Sequence, residues 1–224
     1  MAPLGRMLQS ATIRVANGVV DSVEQSGGLE SANSNIVHVD LSGKYIIPGL
    51  IDCHVHIAAV PGETTLHAMK TMSEKTRALR QPHVTRTMLA RGFTTVRDCG
   101  GADLALKQSI ADGVHAGPRP FIAGHALSQT GGHGDMRQAN DSHECCAGKV
   151  LRIGRIIDGE EQCLKYAREE IRQGSGFIRI MGGGGVASPT DKIEHPQLSD
   201  KEIAAIVRVA KNAGTYVTTH AYTP

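Results

Sequence analysis

Between Ile46 and Ile57 the chain reads "IIPGLIDCHVHI", an apolar run that passes into strict alternation at its end. Alternation of period two predicts a strand, in which His54 and His56 emerge on one face while Val55 points to the other. Further along, the hydrophobic pattern switches between helical and extended periods. A helix is predicted from about Thr64 to Arg91, stopped by Gly92, and "FTTVRD" (Phe93–Asp98) then reads as a strand. A second helix spans about Asp103 to Asp112, ending at Gly113, and "RPFIAG" (Arg119–Gly124) is the next strand. A Gly- and His-rich loop runs on through Lys149. Asp158 and Glu161 stand at capping-box spacing before a helix with Leu164, Ala167 and Ile171 on one face. "GFIRIM" (Gly176–Met181) opens into "GGGGVASPTD". Ser199 and Glu202 cap a further helix, with Ile203, Ile206, Val207 and Ala210 inward and Gly214 ending it, and "TYVTTH" (Thr215–His220) follows.

Five strands separated by four helices, each crossover long enough for a helix, predict parallel β/α units. Residues 1–47 read differently: "ATIRVANGVVDSVEQ" and "NIVHVDLSGKYII" are hairpin-like, so a small β-module precedes an α/β unit over 48–224. The polar loops follow strand ends, where such folds carry their chemistry.

Composition narrows the functional classes. Lys and Arg number 24 against 22 Asp and Glu, so no charge excess argues for nucleic acid or an anionic membrane. Aromatic residues are 3% with no Trp, too few for base-stacking surfaces. No run approaches a membrane span, and the N-terminus lacks a signal-type apolar core. The five cysteines (Cys53, Cys99, Cys145, Cys146, Cys163) form no C-x-x-C pair, which suits reduced thiols and a cytoplasmic setting.

Two converging imidazoles suit a zinc-type cation, although His-x-His alone equally suits two polar residues closing a strand. Gly182, Gly184 and Ala187 give a G-x-G-x-x-A spacing after a strand. Pro189 follows, however, and the next helix begins only near Ser199, so the helix N-terminus that binds a pyrophosphate is missing there.

The motifs "GKYIIPGLIDCHVHI", "GFTTVRDCGG", "TGGHGD" and "THAYTP", in that order and across nearly the whole chain, resemble the amidohydrolase superfamily of metal-dependent hydrolases. More narrowly they are similar to its imidazolonepropionase-related, prolidase-like and ochratoxinase-like branch. The resemblance implies a partial (β/α)8 TIM-type barrel, preceded by part of a β-sandwich over 1–47. It implies that His54 and His56 hold a divalent ion, zinc above all, that His220 ending the fifth strand binds a second, and that a residue ending the fourth strand bridges the two. Relatives carry at that bridging position a lysine converted to an anionic carbamate; here it is Arg179, whose guanidinium stays cationic and is a poor candidate for that chemistry. His133 and Tyr222 are implied on the substrate side.

A complete barrel takes about 250 residues and eight strands. The family's general-base aspartate is therefore expected beyond Pro224, with Asp98 and Asp135 as weaker stand-ins that also suit structural roles. The implied reaction is hydrolysis of C–N amide bonds in small N-acyl amino acid or dipeptide-like substrates, by a truncated and weakly active or inactive chain. The alternative is a non-catalytic half-barrel that holds one ion or none and self-associates through an open sheet edge.

Overall fold

The computed structural model describes residues 7–25, 36–60, 72–140 and 153–223. The chain divides between Ile47 and Pro48 into two compact units. In the first, β1 (Ala11–Ala16) and β2 (Val19–Gln25) pair antiparallel, Ala16 opposite Val19. Asn17 and Gly18 between them have φ of 52° and 76°. Two consecutive left-handed residues make the primed hairpin turn for which Asn-Gly is the strongest signal. The second predicted hairpin does not form: residues 36–47 carry no strand. Asp40 instead accepts the Ser42 amide at 2.9 Å, and Lys44 N bonds Leu41 O. This side-chain turn takes the backbone out of extended geometry, and the alternating Val37 and Val39 stay exposed.

The named strands of the second unit all pair in parallel, and one isolated antiparallel bridge joins Gly183 to Pro196. Its strands are β3 (Leu50–Val55), β4 (Phe93–Asp98), β5 (Arg119–Ile122), β6 (Ala126–Ser128), β7 (Gly154–Ile156), β8 (Ile178–Met181) and β9 (Val217–His220). Its described helices are α1 (Glu74–Ala90), α2 (Leu104–Ala111), α3 (Gly159–Arg172) and α4 (Asp200–Asn212). The part of the first predicted helix before residue 72 lies outside the described residues, as do Cys145 and Cys146.

Hydrogen bonding groups the strands as β3-β4-β5 and β7-β6-β8-β9. β5 and β6 are two halves of one interrupted strand. Gly124 between them has φ 69°, yet Ala123 N still bonds Asp98 O, and Gly176 N bonds Ile122 O just ahead of β8. The resulting order, β3, β4, β5/β6, β8, β9, is the expected run of five barrel positions. β7 is an addition that pairs with β6 in the stretch between the expected loop, which ends at Lys149, and the helix that follows Asp158. Three-residue strands are too short to show a period. The unit is a partial (β/α)8-type barrel.

Two clusters form the layer between sheet and helices. Val55, Val96, Ile122 and Leu106 make one; Leu127, Ile178, Ile180, Ala167, Ile206, Val209 and Ala210 make the other. Pleat alternation then sends His54, Arg97 and Arg179 to the opposite, interior face. α4 starts with a complete capping box between Ser199 and Glu202, as expected. α3 does not: Asp158 is its N-cap but makes no side-chain cap bond. Its carboxylate accepts instead from Thr130 N and Oγ1 at 3.0 and 2.7 Å, while Glu202 takes the Gly159 amide at 2.7 Å.

Candidate functional site

The candidate site lies at the C-terminal ends of the second unit's strands. His54 and His56 stand side by side there, their rings edge to face with centroids 5.3 Å apart. Val55 between them is buried with Val96 and Ile122, which fixes the pleat and so the common face of the two imidazoles. The His56 Nδ1 lies 3.0 Å from Gly100 O, so the ring nitrogen donates and Nε2 carries the free lone pair. Just beyond, Ile57 N donates to Asp98 Oδ2 at 2.7 Å, anchoring the exit from β3 to the end of β4. Burial, and next the charge of Arg179, lower the pKa of His54 below the ordinary imidazole value.

His220 closes β9, in register with Met181. It stacks on His133 at 4.2 Å between centroids and an interplanar angle of 14°, and Tyr222 meets it edge-on at 5.0 Å. Burial, followed by His133 and Arg179, pushes its pKa down to about 4, and its Nε2 is buried without a partner. The strand-end histidines are thus arranged as two pairs, His54 with His56 and His133 with His220. Among the described residues no three His, Cys, Asp or Glu side chains stand close enough to hold a metal ion.

His133 is held by a network the sequence did not disclose. Its Nδ1 lies 2.9 Å from Ser188 Oγ, and Ser188 in turn donates to Asp191 Oδ1. Asp191 is fixed by Gly185 N at 3.0 Å and Gln197 Nε2 at 2.9 Å. A side chain at Gly185 would collide with the His133 ring. Because Ser188 spends its proton on Asp191, its oxygen receives one from Nδ1, so neutral His133 presents Nε2 as an acceptor. Ser188 and Asp191 stand three apart in "ASPTD", an ordinary turn spacing, and only tertiary contact with a residue 55 positions away reveals their role.

Arg179 is 5% exposed and faces the interior, Nη1 donating to Thr219 O at 2.8 Å. Burial lowers its pKa, and Cys99 opposes that shift. The two acids considered as alternative bases are both engaged. Asp98 accepts from the amides of Ile57, Gly100 and Ala102; Asp135 accepts from Gly131 N and from Arg137 Nε at 2.8 Å. The glycine run forms no phosphate cradle, since the amides of Gly182 and Gly183 bond His220 O and that of Gly184 bonds His195 O.

Two of these donors suit a cation: His56 offers a lone pair locked by its backbone bond, and His54 beside it is disposed to be neutral. His220 has a buried nitrogen with nothing attached, but it stands in the other pair, with His133. A second ion bridged through position 179 does not fit, because that position carries a buried positive charge.

A partial parallel β/α barrel with histidines gathered at its strand ends is the architecture of barrel hydrolases. Residues 45–224 match the amidohydrolase family, and the chain belongs to that family. It is 28% identical to an ochratoxinase of Aspergillus niger over 97% of its own length and 48% of that protein. Among solved structures it resembles a prolidase complexed with N-methylphosphonate-L-proline, at 44% identity and TM-score 0.84, covering 91% of this chain and 49% of that one. An amidohydrolase structure gives 43% identity and TM-score 0.87 over 97% of this chain and 52% of that one. The chain therefore spans about half the length of these relatives. No described helix is long and apolar enough to cross a membrane.

Proposed function

We propose that this chain belongs to the machinery of a metal-dependent amide hydrolase acting on small N-acyl amino acid or dipeptide-like substrates. Family membership and the likeness to an ochratoxinase and a prolidase support the reaction class. The observation that carries the metal assignment is the His56–Gly100 bond, which reserves Nε2 for a cation beside His54. His54 and His56 would hold one zinc-type ion. Such an ion, when bound, polarises a carbonyl and acidifies water.

The protein's own groups supply the rest. His133, its Nδ1 fixed by Ser188 and Asp191, keeps an unprotonated Nε2 that can take a proton from water or a substrate N–H. Burial lowers the pKa of His133, with Asp191 opposing, and so favours that unprotonated form near neutral pH. Tyr222, edge-on to His220 and 60% exposed, is placed to meet the substrate's outer part.

The test is hydrolysis of N-acetyl-L-amino acids and X-Pro dipeptides by zinc-loaded protein. Turnover abolished by H54A and H56A, and reduced by H133Q at unchanged zinc content, is the expected result. Protein that binds neither zinc nor these substrates, or turnover indifferent to both strand-3 histidines, contradicts the reading.

A further inference from the structure

The interior face of β8 and β9 carries buried polar atoms with nothing bonded to them. Parallel register sets Arg179 beside Thr218 and Met181 beside His220. Ile178 and Ile180 fill the helix-side core, so alternation turns these four residues inward. Nη1 of Arg179 is used on Thr219 O, but Nε is buried without a partner. Thr218 Oγ1, on the adjacent strand, is buried and unpartnered as well.

Among the described residues no acidic side chain forms an ion pair with Arg179. The carboxylates around the site are committed elsewhere: Asp52 turns back onto His54 N, Asp98 holds three amides, and Asp191 holds Ser188, Gly185 and Gln197. A second guanidinium, that of Arg97, approaches the same face from β4, where its Nε donates to Cys53 O at 2.8 Å. An uncompensated buried guanidinium is destabilising, and a bound anion removes that cost.

We propose that Arg179, together with Thr218 Oγ1, forms a binding site for a small planar oxyanion of carboxylate type. The guanidinium edge carrying Nε is a fork whose two parallel donors match the two oxygens of a carboxylate or bicarbonate, and a tetrahedral or spherical anion matches it less well. The threonine hydroxyl supplies a third donor from the neighbouring strand. The anion is either free in solution or the carboxylate end of a larger ligand, and the chemistry of recognition is the same. No imidazole is among the proposed donors.

Titration calorimetry on chelator-treated protein tests this with four probes: acetate, bicarbonate, N-acetyl-L-alanine and N-acetyl-L-alanine methyl ester. Carboxylates are expected to bind one per chain and the ester not at all. Binding of acetate or bicarbonate identifies a free anion as sufficient; binding of N-acetyl-L-alanine alone identifies the ligand's own carboxylate. R179Q should weaken that affinity roughly tenfold or more, the scale of a lost charged hydrogen bond, and T218V should weaken it less. R179M guards against a folding defect: without anion its Tm should equal or exceed that of the wild type, and carboxylate should no longer raise it. Absence of carboxylate binding, equal binding of the ester, or wild-type affinity in R179Q or R179M overturns the proposal.

Discussion

The Asp98 carboxylate at the end of β4 accepts the Ile57 amide at 2.7 Å, and with it the amides of Gly100 and Ala102 at 2.9 and 3.1 Å. One fully buried side chain thereby ties the exit of the histidine strand to the turn that supplies Gly100 O to His56. Burial raises its pKa to about 6 from 3.8, although the three amides and His56 pull the other way.

That shift has a defined sign. With the folded pKa above the unfolded one, the folded state binds more protons between about pH 4 and 6, so this group's contribution falls as pH rises through that window. Urea denaturation from pH 4 to 7 should show wild-type stability falling relative to D98N as pH rises. A difference that stays flat, or that rises with pH, contradicts this account of Asp98.

Glu170 lies fully buried on α3, accepting His125 N at 3.0 Å and Nδ1 at 3.1 Å, with Arg155 Nη1 at 3.4 Å. It holds the interruption between β5 and β6 from the helix side. E170A leaves Arg155 buried and uncompensated and should cost about 3–5 kcal/mol. The double variant E170M/R155M should recover much of that loss. Equilibrium unfolding of both variants checks the pair.

Ser199 and Glu202 cap α4 reciprocally, and Glu202 also reaches the first amide of α3. S199A should cost about 1 kcal/mol. E202A should cost more, since it unties two helix starts. Thermal unfolding of the two variants gives the comparison, and equal losses would show the Gly159 bond to be inert.

Asp191 raises the pKa of His133 against a larger lowering by burial. D191N should therefore move the His133 titration to still lower pH, and S188A should free the ring's Nδ1 tautomer. NMR titration of the histidine ring protons reads both effects. An upward shift in D191N would contradict the network described.

Much of the fold was legible because its determinants are local. The Asn17-Gly18 turn, the alternation around Val55 and the Ser199/Glu202 box each lie within a few residues of what they specify. What escaped depends on distant partners. The capping expected of Asp158 fails because Thr130, 28 residues away, takes its carboxylate and Glu202, 43 residues from Gly159, takes the amide. The pairing of His133 with His220 is likewise a product of packing that no spacing encodes. Arg179 was visible as an unusual residue on its strand, but the unpartnered Thr218 beside it emerges only from the β8–β9 register.

The central claim is a cation held at the end of β3, and metal stoichiometry tests it most directly. Protein dialysed against zinc and then against metal-free buffer should retain one equivalent by elemental analysis, and the H54A/H56A double variant, folded by circular dichroism, should retain none. Wild-type protein that emerges metal-free, or a double variant that keeps its zinc, would contradict the account.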